Sequence, residues 1–321
     1  MLQGLLGLFY FSVVSQLVTF TGTQAECPLK LNPPSVVVEY GSSVSVDCST
    51  NETHDGMGWE APVGSVPMTK AKLITLRVSN LRRWDIRPQC YMNYNRTKQF
   101  QSFLPIIIYK TPDSVSINTV DHTGPMREGS QYDLQCDIVN VAPVKNLTVN
   151  WFKGKTEVKT ETFNDTIKTP VNKTSTLNIT AVRDDDGAQY RCEAELKLGA
   201  DGPQPPPKVP SKPFQTIVHY SPQHMDSKEI ITKTDGQITL NCTVAANPPP
   251  TYSWSSEHLK ETKSSAVLSS STLTPGNYTC TATNTLGESK KEFIINSGGS
   301  RITFMLNLTF LQLLVALRIV M

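Results

Sequence analysis

The fold class this sequence predicts is all-β, with three tandem sandwich domains, and three repeated observations predict it. First, one alternating pattern occurs three times. Val44, Val46 and Cys48 alternate with Ser45 and Asp47; Tyr132, Leu134 and Cys136 with Asp133 and Gln135; Ile238, Leu240 and Cys242 with Thr239 and Asn241. Period two gives each strand one apolar face and ends it on an inward cysteine. Second, a tryptophan follows each of these cysteines by 11 to 15 residues: Trp59, Trp151 and Trp254. Third, Cys90, Cys192 and Cys280 close the copies at separations of 42, 56 and 38 residues. Cysteine, tryptophan, cysteine among short strands is the immunoglobulin pattern, an inter-sheet disulfide packed on a core indole. The expected bridges are Cys48–Cys90, Cys136–Cys192 and Cys242–Cys280. In the chain-entropy model each stabilises its domain by about 3–4 kcal/mol.

Taken in order, the chain of 321 residues opens on an apolar stretch, Leu2 to Val18, followed by Thr23-Gln24-Ala25. This reads as a secretory signal peptide over residues 1–25, removed before Glu26. Export makes disulfides the natural fate of cysteine. It also gives meaning to eight of the nine Asn-X-Ser/Thr sequons, at Asn51, Asn95, Asn146, Asn164, Asn172, Asn178, Asn241 and Asn277, the ninth, Asn307, falling in the apolar tail. Together they predict a glycosylated extracellular surface. Cys27 is the odd cysteine, open to a free thiol, a mixed disulfide or a disulfide dimer of two chains.

Domain 1 covers 26–110, domain 2 covers 111–220 and domain 3 covers 221–296. The junctions Tyr109-Lys110-Thr111-Pro112 and Tyr220-Ser221-Pro222 are short and carry proline, which predicts a semi-rigid rod. Tyr190 and Tyr278 stand two residues before Cys192 and Cys280, where a tyrosine corner ties the E–F turn; domain 1 has Pro88 there. The proline-rich run Gly202 to Pro210 is read as a long F–G loop of domain 2, in preference to a polyproline signalling ligand. After domain 3 come Asn296-Ser297-Gly298-Gly299-Ser300 and an apolar run from Ile302 to Met321. Small residues before a terminal apolar run predict a glycosylphosphatidylinositol signal over 297–321, attached at Asn296. The alternative is a short transmembrane segment, with about 16 residues before Arg318 where a bilayer core wants ~20. Either anchor leaves the domains outside the cell.

Catalysis is excluded on pattern. The histidines His54, His122, His219, His224 and His258 are scattered over all three domains, and the cysteines are committed to bridges. Asp184-Asp185-Asp186 lacks the spaced ligands and glycine of a calcium loop and reads as an E–F turn. A net charge of +2, with no basic block beyond Lys290-Lys291, excludes a nucleic-acid surface. No metal or cofactor is expected to be held by the chain itself.

The candidate contact residue is Glu60. If Trp59 points inward on strand C, Glu60 points out. Pro62 cannot donate to a ladder, so the strand ends there or runs along an edge; the expectation is a rigidly backed carboxylate beside a free edge. Most exposed glutamates are solvated and do nothing more, so the residues alone leave its role open.

Domain 1 resembles the amino-terminal domain of the intercellular adhesion molecules. The resemblance is carried by Glu39-Tyr40-Gly41-Ser42-Ser43-Val44, Cys48-Ser49-Thr50, Gly58-Trp59-Glu60-Ala61-Pro62, Ser79-Asn80-Leu81 and Pro88-Gln89-Cys90-Tyr91-Met92-Asn93. Domain 2 is similar to the family's second domain through Asp185 to Leu196. The resemblance implies a counter-receptor for the I domain of leukocyte β2 integrins, in which Glu60 completes the coordination of a magnesium ion held by the integrin. It also implies that Tyr91 and Asn93 flank that ion. The chain departs from the family in having Glu52 and Tyr94 where a second disulfide usually stands, and Trp59 where an aliphatic residue precedes the glutamate. Sequons at Asn51 and Asn95 put glycans near the proposed face. The alternative function is an immune or homophilic receptor of the same fold, binding a protein by a metal-independent sheet face.

Overall fold

The computed structural model describes residues 27–297, apart from 234, 235 and 262. The expected signal peptide at 1–25 and the apolar run at the end of the chain lie outside the described residues. Among those residues no helix is long and apolar enough to cross a membrane.

Domain 1 contains β1 (Lys30–Asn32), β2 (Val36–Glu39), β3 (Val44–Ser49), β4 (Gly56–Glu60), β5 (Val66–Thr69), β6 (Leu73–Val78), β7 (Gln89–Asn95), β8 (Lys98–Phe103) and β9 (Ile106–Tyr109). One sheet runs β1-β3-β6 and the facing sheet β5-β4-β7-β8, while β2 pairs β9 in parallel. Val46, Leu76, Met57 and Met92 fill the space between the sheets around the Cys48–Cys90 bridge. Each comes from the apolar phase of its strand, so alternation in sequence becomes a two-layer core.

Domain 2 contains β10 (Ser114–Thr119), β11 (Met126–Arg127), β12 (Gln131–Val141), β13 (Leu147–Lys153), β14 (Thr156–Thr162), β15 (Val171–Thr180), β16 (Gln189–Leu196), β17 (Lys208–Pro210), β18 (Phe214–Gln215) and β19 (Val218–His219). Its sheets are β10-β12-β15 and β14-β13-β16-β17, bridged by Cys136–Cys192. The proline-rich run is loop only as far as Pro207. Lys208–Pro210 is strand β17, paired to Glu193–Glu195. Pro210 is tolerated there because it ends an edge strand.

Domain 3 contains β20 (Lys228–Thr232), β21 (Ile238–Asn241), β22 (Thr251–Ser255), β23 (Val267–Ser270), β24 (Gly276–Asn284) and β25 (Gly287–Asn296). It has a two-stranded sheet β21-β23 facing β20-β25-β24-β22, with Cys242–Cys280 between them.

The three E–F corners are held in three ways. In domain 3 the Tyr278 hydroxyl donates to the Thr274 carbonyl at 3.1 Å and accepts the Thr274 N–H at 3.2 Å, the expected tyrosine corner. In domain 2 the tie is a carboxylate. Buried Asp185 accepts the Val182 N–H at 3.3 Å and pairs with the Lys153 ammonium, which lies 5.9 Å from the Tyr190 ring centroid. Tyr190 itself packs in the core. Domain 1, with Pro88, uses apolar packing: Tyr40 stacks on Trp84 with centroids 4.5 Å apart, and Leu81 exchanges hydrogen bonds with Ser42 and Gly41.

Both junctions are packed. Val37, Ile107 and Tyr109 of domain 1 lie against the domain 2 core, and Lys110 exchanges backbone hydrogen bonds with Ala142 at 2.9 and 3.1 Å. At the second junction Tyr220 and Asn247 exchange backbone bonds at 2.7 and 3.2 Å. Asn247 Nδ2 also donates to Asp186 and to the Val218 carbonyl, both at 3.1 Å. Arg183 holds Glu128 through two bonds of 2.8 and 3.0 Å and donates to Gln223 at 3.2 Å. The aspartate triplet is thus part of the socket that seats domain 3.

This socket predicts an acid response. Hydrogen bonds from Arg183 hold the Glu128 carboxyl below its ordinary value of 4.5. A depressed folded-state pKa contributes stability that is present above the ordinary value and lost as pH falls through the folded one. The angle between domains 2 and 3, followed by small-angle scattering, is expected to become more variable in acid, once pH has fallen past the ordinary carboxylate range. In Arg183→Met that acid step should vanish.

Candidate functional site on the first domain

Strand β4 is where the sequence and the fold meet. Its five residues are buried except Glu60. Met57 and Trp59 point into the core, Trp59 at 1% exposure. The Trp59 indole N–H has no partner among the described residues, whereas Trp151 donates to Ser175 Oγ at 2.9 Å and Trp254 to the Ser265 carbonyl at 2.7 Å. The platform under Glu60 is therefore held by packing, without help from an indole hydrogen bond.

On the outer face the two glycines of β4 are covered by side chains from neighbouring strands. A Cβ on Gly58 would lie 2.6 Å from the Tyr91 hydroxyl oxygen and 2.8 Å from the Val66 carbonyl oxygen. A Cβ on Gly56 would lie 2.5 Å from Met68 Cγ. Glycine at these places lets Tyr91 and Met68 lie flat across the strand, leaving Glu60 as its projecting group. Gly58→Ala is expected to displace Tyr91 and cost about 1–3 kcal/mol. Thermal unfolding of domain 1 checks the cost, and partner binding should weaken in the same variant.

Strand β4 does not run along a sheet edge, one of the two courses expected for it. β4 is an interior strand, paired to β5 on one side and β7 on the other; the edge belongs to β5. Pairing to β5 ends at Trp59–Val66, because the turn after Glu60 carries Pro62 and Gly64, the latter at φ +75°. Glu60 is thus backed by β7 alone, opposite Gln89. Its carboxylate makes no hydrogen bond or ion pair with the described residues, so nothing competes for its oxygens.

Of the two expected neighbours, register brings one close. Tyr91 pairs with Gly58 and is the diagonal neighbour of Glu60, about 7 Å away by strand geometry. Asn93 pairs with Gly56, about 13 Å along the strand from Gln89. It donates to Met68 Sδ at 3.3 Å and accepts from Gln99 at 2.9 Å, which places it in the middle of the face. Residues that sequence reasoning missed are nearer: Gln89, directly opposite Glu60, and Phe103, which pairs with Gln89 and is 59% exposed. Gln89 was legible from alternation, two places before Tyr91. Phe103 was not, because only the β7–β8 register brings it there.

Asn51 and Asn95 stand at the other end of this sheet. Asn95 closes β7 six residues beyond Gln89, about 20 Å from the level of Glu60. Asn51 lies in the loop before β4 begins. Glycans there would frame the far end of the face and leave Glu60 clear. Cys27 is unpaired and exposed, with its sulfur 3.8 Å from the Gln101 carbonyl oxygen on β8. Among the described residues no three metal-ligating side chains cluster.

Comparison with known proteins bears on this geometry. Residues 24–114 match the family model of the intercellular adhesion molecule amino-terminal domain, residues 115–203 the immunoglobulin I-set domain, and residues 221–296 an immunoglobulin domain. Intercellular adhesion molecule 1 of Pan troglodytes is 28% identical over 225 residues, covering 67% of this chain and 39% of that protein. Its Homo sapiens counterpart is 28% identical over 223 residues, with the same coverage. Human vascular cell adhesion protein 1 is 22% identical over 273 residues, 80% of this chain and 36% of that protein. The chain therefore spans about two fifths of the length of the intercellular adhesion molecules it matches. The three-domain ectodomain of mouse nectin-like molecule 4 is similar in fold, with a TM-score of 0.54, 17% identity, and coverage of 83% of this chain and 98% of that one. The chain thus joins an amino-terminal domain of the intercellular adhesion molecule type to two further immunoglobulin domains.

Proposed function

We propose that this chain is a cell-surface adhesion glycoprotein and a counter-receptor for leukocyte integrins, binding an I domain of the β2 type through domain 1. The observation that carries the reading is Glu60: exposed, without a partner among the described residues, and preceded on its strand by a fully buried tryptophan. Magnesium is a hard ion that takes one or two carboxylate oxygens, and a carboxylate on a rigid strand loses little entropy on docking. Glu60 would supply one oxygen to a magnesium ion held by the integrin. Tyr91, Gln89 and Phe103 would meet the protein surface around that ion, with Asn93 farther along the contact. The chain is anchored on the outer face of the plasma membrane, by the lipid signal at Asn296 in preference to a short transmembrane segment. Many copies on one membrane would convert a modest affinity into avidity.

The experiment is binding of the soluble ectodomain, Glu26 to Asn296, to leukocyte integrin I domains in magnesium and in chelator. Binding in magnesium that disappears in chelator is the expected result. Binding that ignores the chelator would transfer the function to a metal-independent sheet face.

A further inference from the structure

Domains 1 and 2 meet along a cleft of about 460 Å³. Its walls include Trp84, Ile106 and Ile108 from domain 1, and Pro143, Asn146 and Ile167 from domain 2. This is a mostly apolar hollow of ligand size. The Trp84 ring is held parallel to Tyr40, so its orientation is set before anything packs on it. Ile167 stands at the rim, 47% exposed.

Asn146 is the sequon asparagine that lines this hollow. The other seven among the described residues are exposed, whereas Asn146 is half-buried and its Nδ2 donates to the Lys197 carbonyl at 2.7 Å. An N-linked sugar replaces one of the two amide hydrogens. The other is enough to keep the bond to Lys197, and that bond aims the new substituent. We propose that Asn146 carries an N-glycan whose first sugars lie in the cleft, against Trp84 and Ile167, and wedge domain 1 against domain 2.

The covalent step balances. The amide nitrogen displaces a lipid pyrophosphate from the sugar's anomeric carbon. An N–C bond forms, the C–O bond breaks with its electron pair leaving on the pyrophosphate, and one amide proton is lost. Thr148, the third sequon residue, is 2% exposed, so transfer takes place on the chain before domain 2 closes. The sugar suits the hollow, because its C–H faces pack on an indole and its hydroxyls face outward to Lys145, Lys168 and water. Asn164 is the neighbouring sequon, but it is exposed and does not line the cleft.

The test uses the full chain expressed in mammalian cells, digested in its native state with a peptide amidase that removes N-glycans. Release is followed at each sequon by mass spectrometry. The Asn146 glycan is expected to be present and to come off at least about tenfold more slowly than that at Asn178, with the difference abolished by denaturation. Ile167→Ser changes an exposed rim residue and should speed release at Asn146 while leaving Asn178 and Asn241 unchanged. An unmodified Asn146, or equal native rates at Asn146 and Asn178, would overturn the proposal. So would slow release that survives denaturation or ignores Ile167→Ser.

Discussion

Glu60→Gln should weaken magnesium-dependent binding to an integrin I domain by about a hundredfold or more, without altering thermal unfolding. The size follows from the chemistry. A residue at the centre of a desolvated contact carries about 3 kcal/mol or more, which is roughly two decades in affinity. Glutamine keeps the shape and the exposed position but removes the charge that a hard cation selects. Stability should not change, because Glu60 makes no hydrogen bond or ion pair with the described residues and is exposed at the end of β4. Glu60→Asp tests reach. It keeps the charge but draws the carboxylate back by one methylene, so it too should lose most of the binding. Glu39→Ala, at the end of β2 in the same domain, serves as the control and should bind normally. Surface plasmon resonance at fixed magnesium measures the three variants beside wild type. Equal binding by wild type and Glu60→Gln would remove Glu60 from the contact while leaving the fold assignment intact.

The second large effect is expected on stability. Asp185→Ala should destabilise domain 2 by about 2–4 kcal/mol, because a buried carboxylate there holds two groups at once. Its side chain is 4% exposed, takes the Val182 N–H and pairs with Lys153. Alanine leaves that N–H without its side-chain partner and strips the ammonium of its counter-charge. Lys153 is 38% exposed and reaches water, which keeps the cost below that of a fully enclosed pair. For a domain near 100 residues this corresponds to a fall in Tm of roughly 10–25 °C, resolved as an earlier transition in calorimetry of the three-domain protein. Asp185→Asn retains an acceptor for Val182 and should cost less. The pair also has an alkaline signature. The hydrogen bond to Asp185 raises the Lys153 pKa above 10.5. A raised folded-state value gives stability that is complete below the ordinary pKa and lost as pH rises through the folded one. Asp185→Ala should abolish that alkaline loss. Coincident unfolding of wild type and Asp185→Ala would show that the corner is held by packing alone.

Much of the architecture is legible because it is local. Alternation over five residues is enough to send Cys48, Cys136 and Cys242 inward. The same parity, counted from Trp59, sends Glu60 outward. A tyrosine two places before a cysteine announces the corner that Tyr278 makes. Tyr190 has the same spacing yet packs in the core while Asp185 makes the tie. The difference arises from Lys153, a residue on another strand that spacing does not connect to the corner.

The sequence by itself determined the number of sandwiches, the phase of each strand and the outward direction of Glu60. Phase and direction depend on residues within one strand, and the number of sandwiches on a pattern that repeats along the chain. The tertiary structure alone decided what surrounds that carboxylate. It put β4 inside its sheet, set Gln89 and Phe103 beside Glu60, moved Asn93 along the face and carried Asn95 to the far end. It also brought Trp84 and Asn146, 62 positions apart in the chain, into one cleft. The physical reason is that strand phase is written in neighbouring side chains. Register and domain packing depend on hydrogen bonds and contacts between segments tens of residues apart, and a local pattern does not encode them.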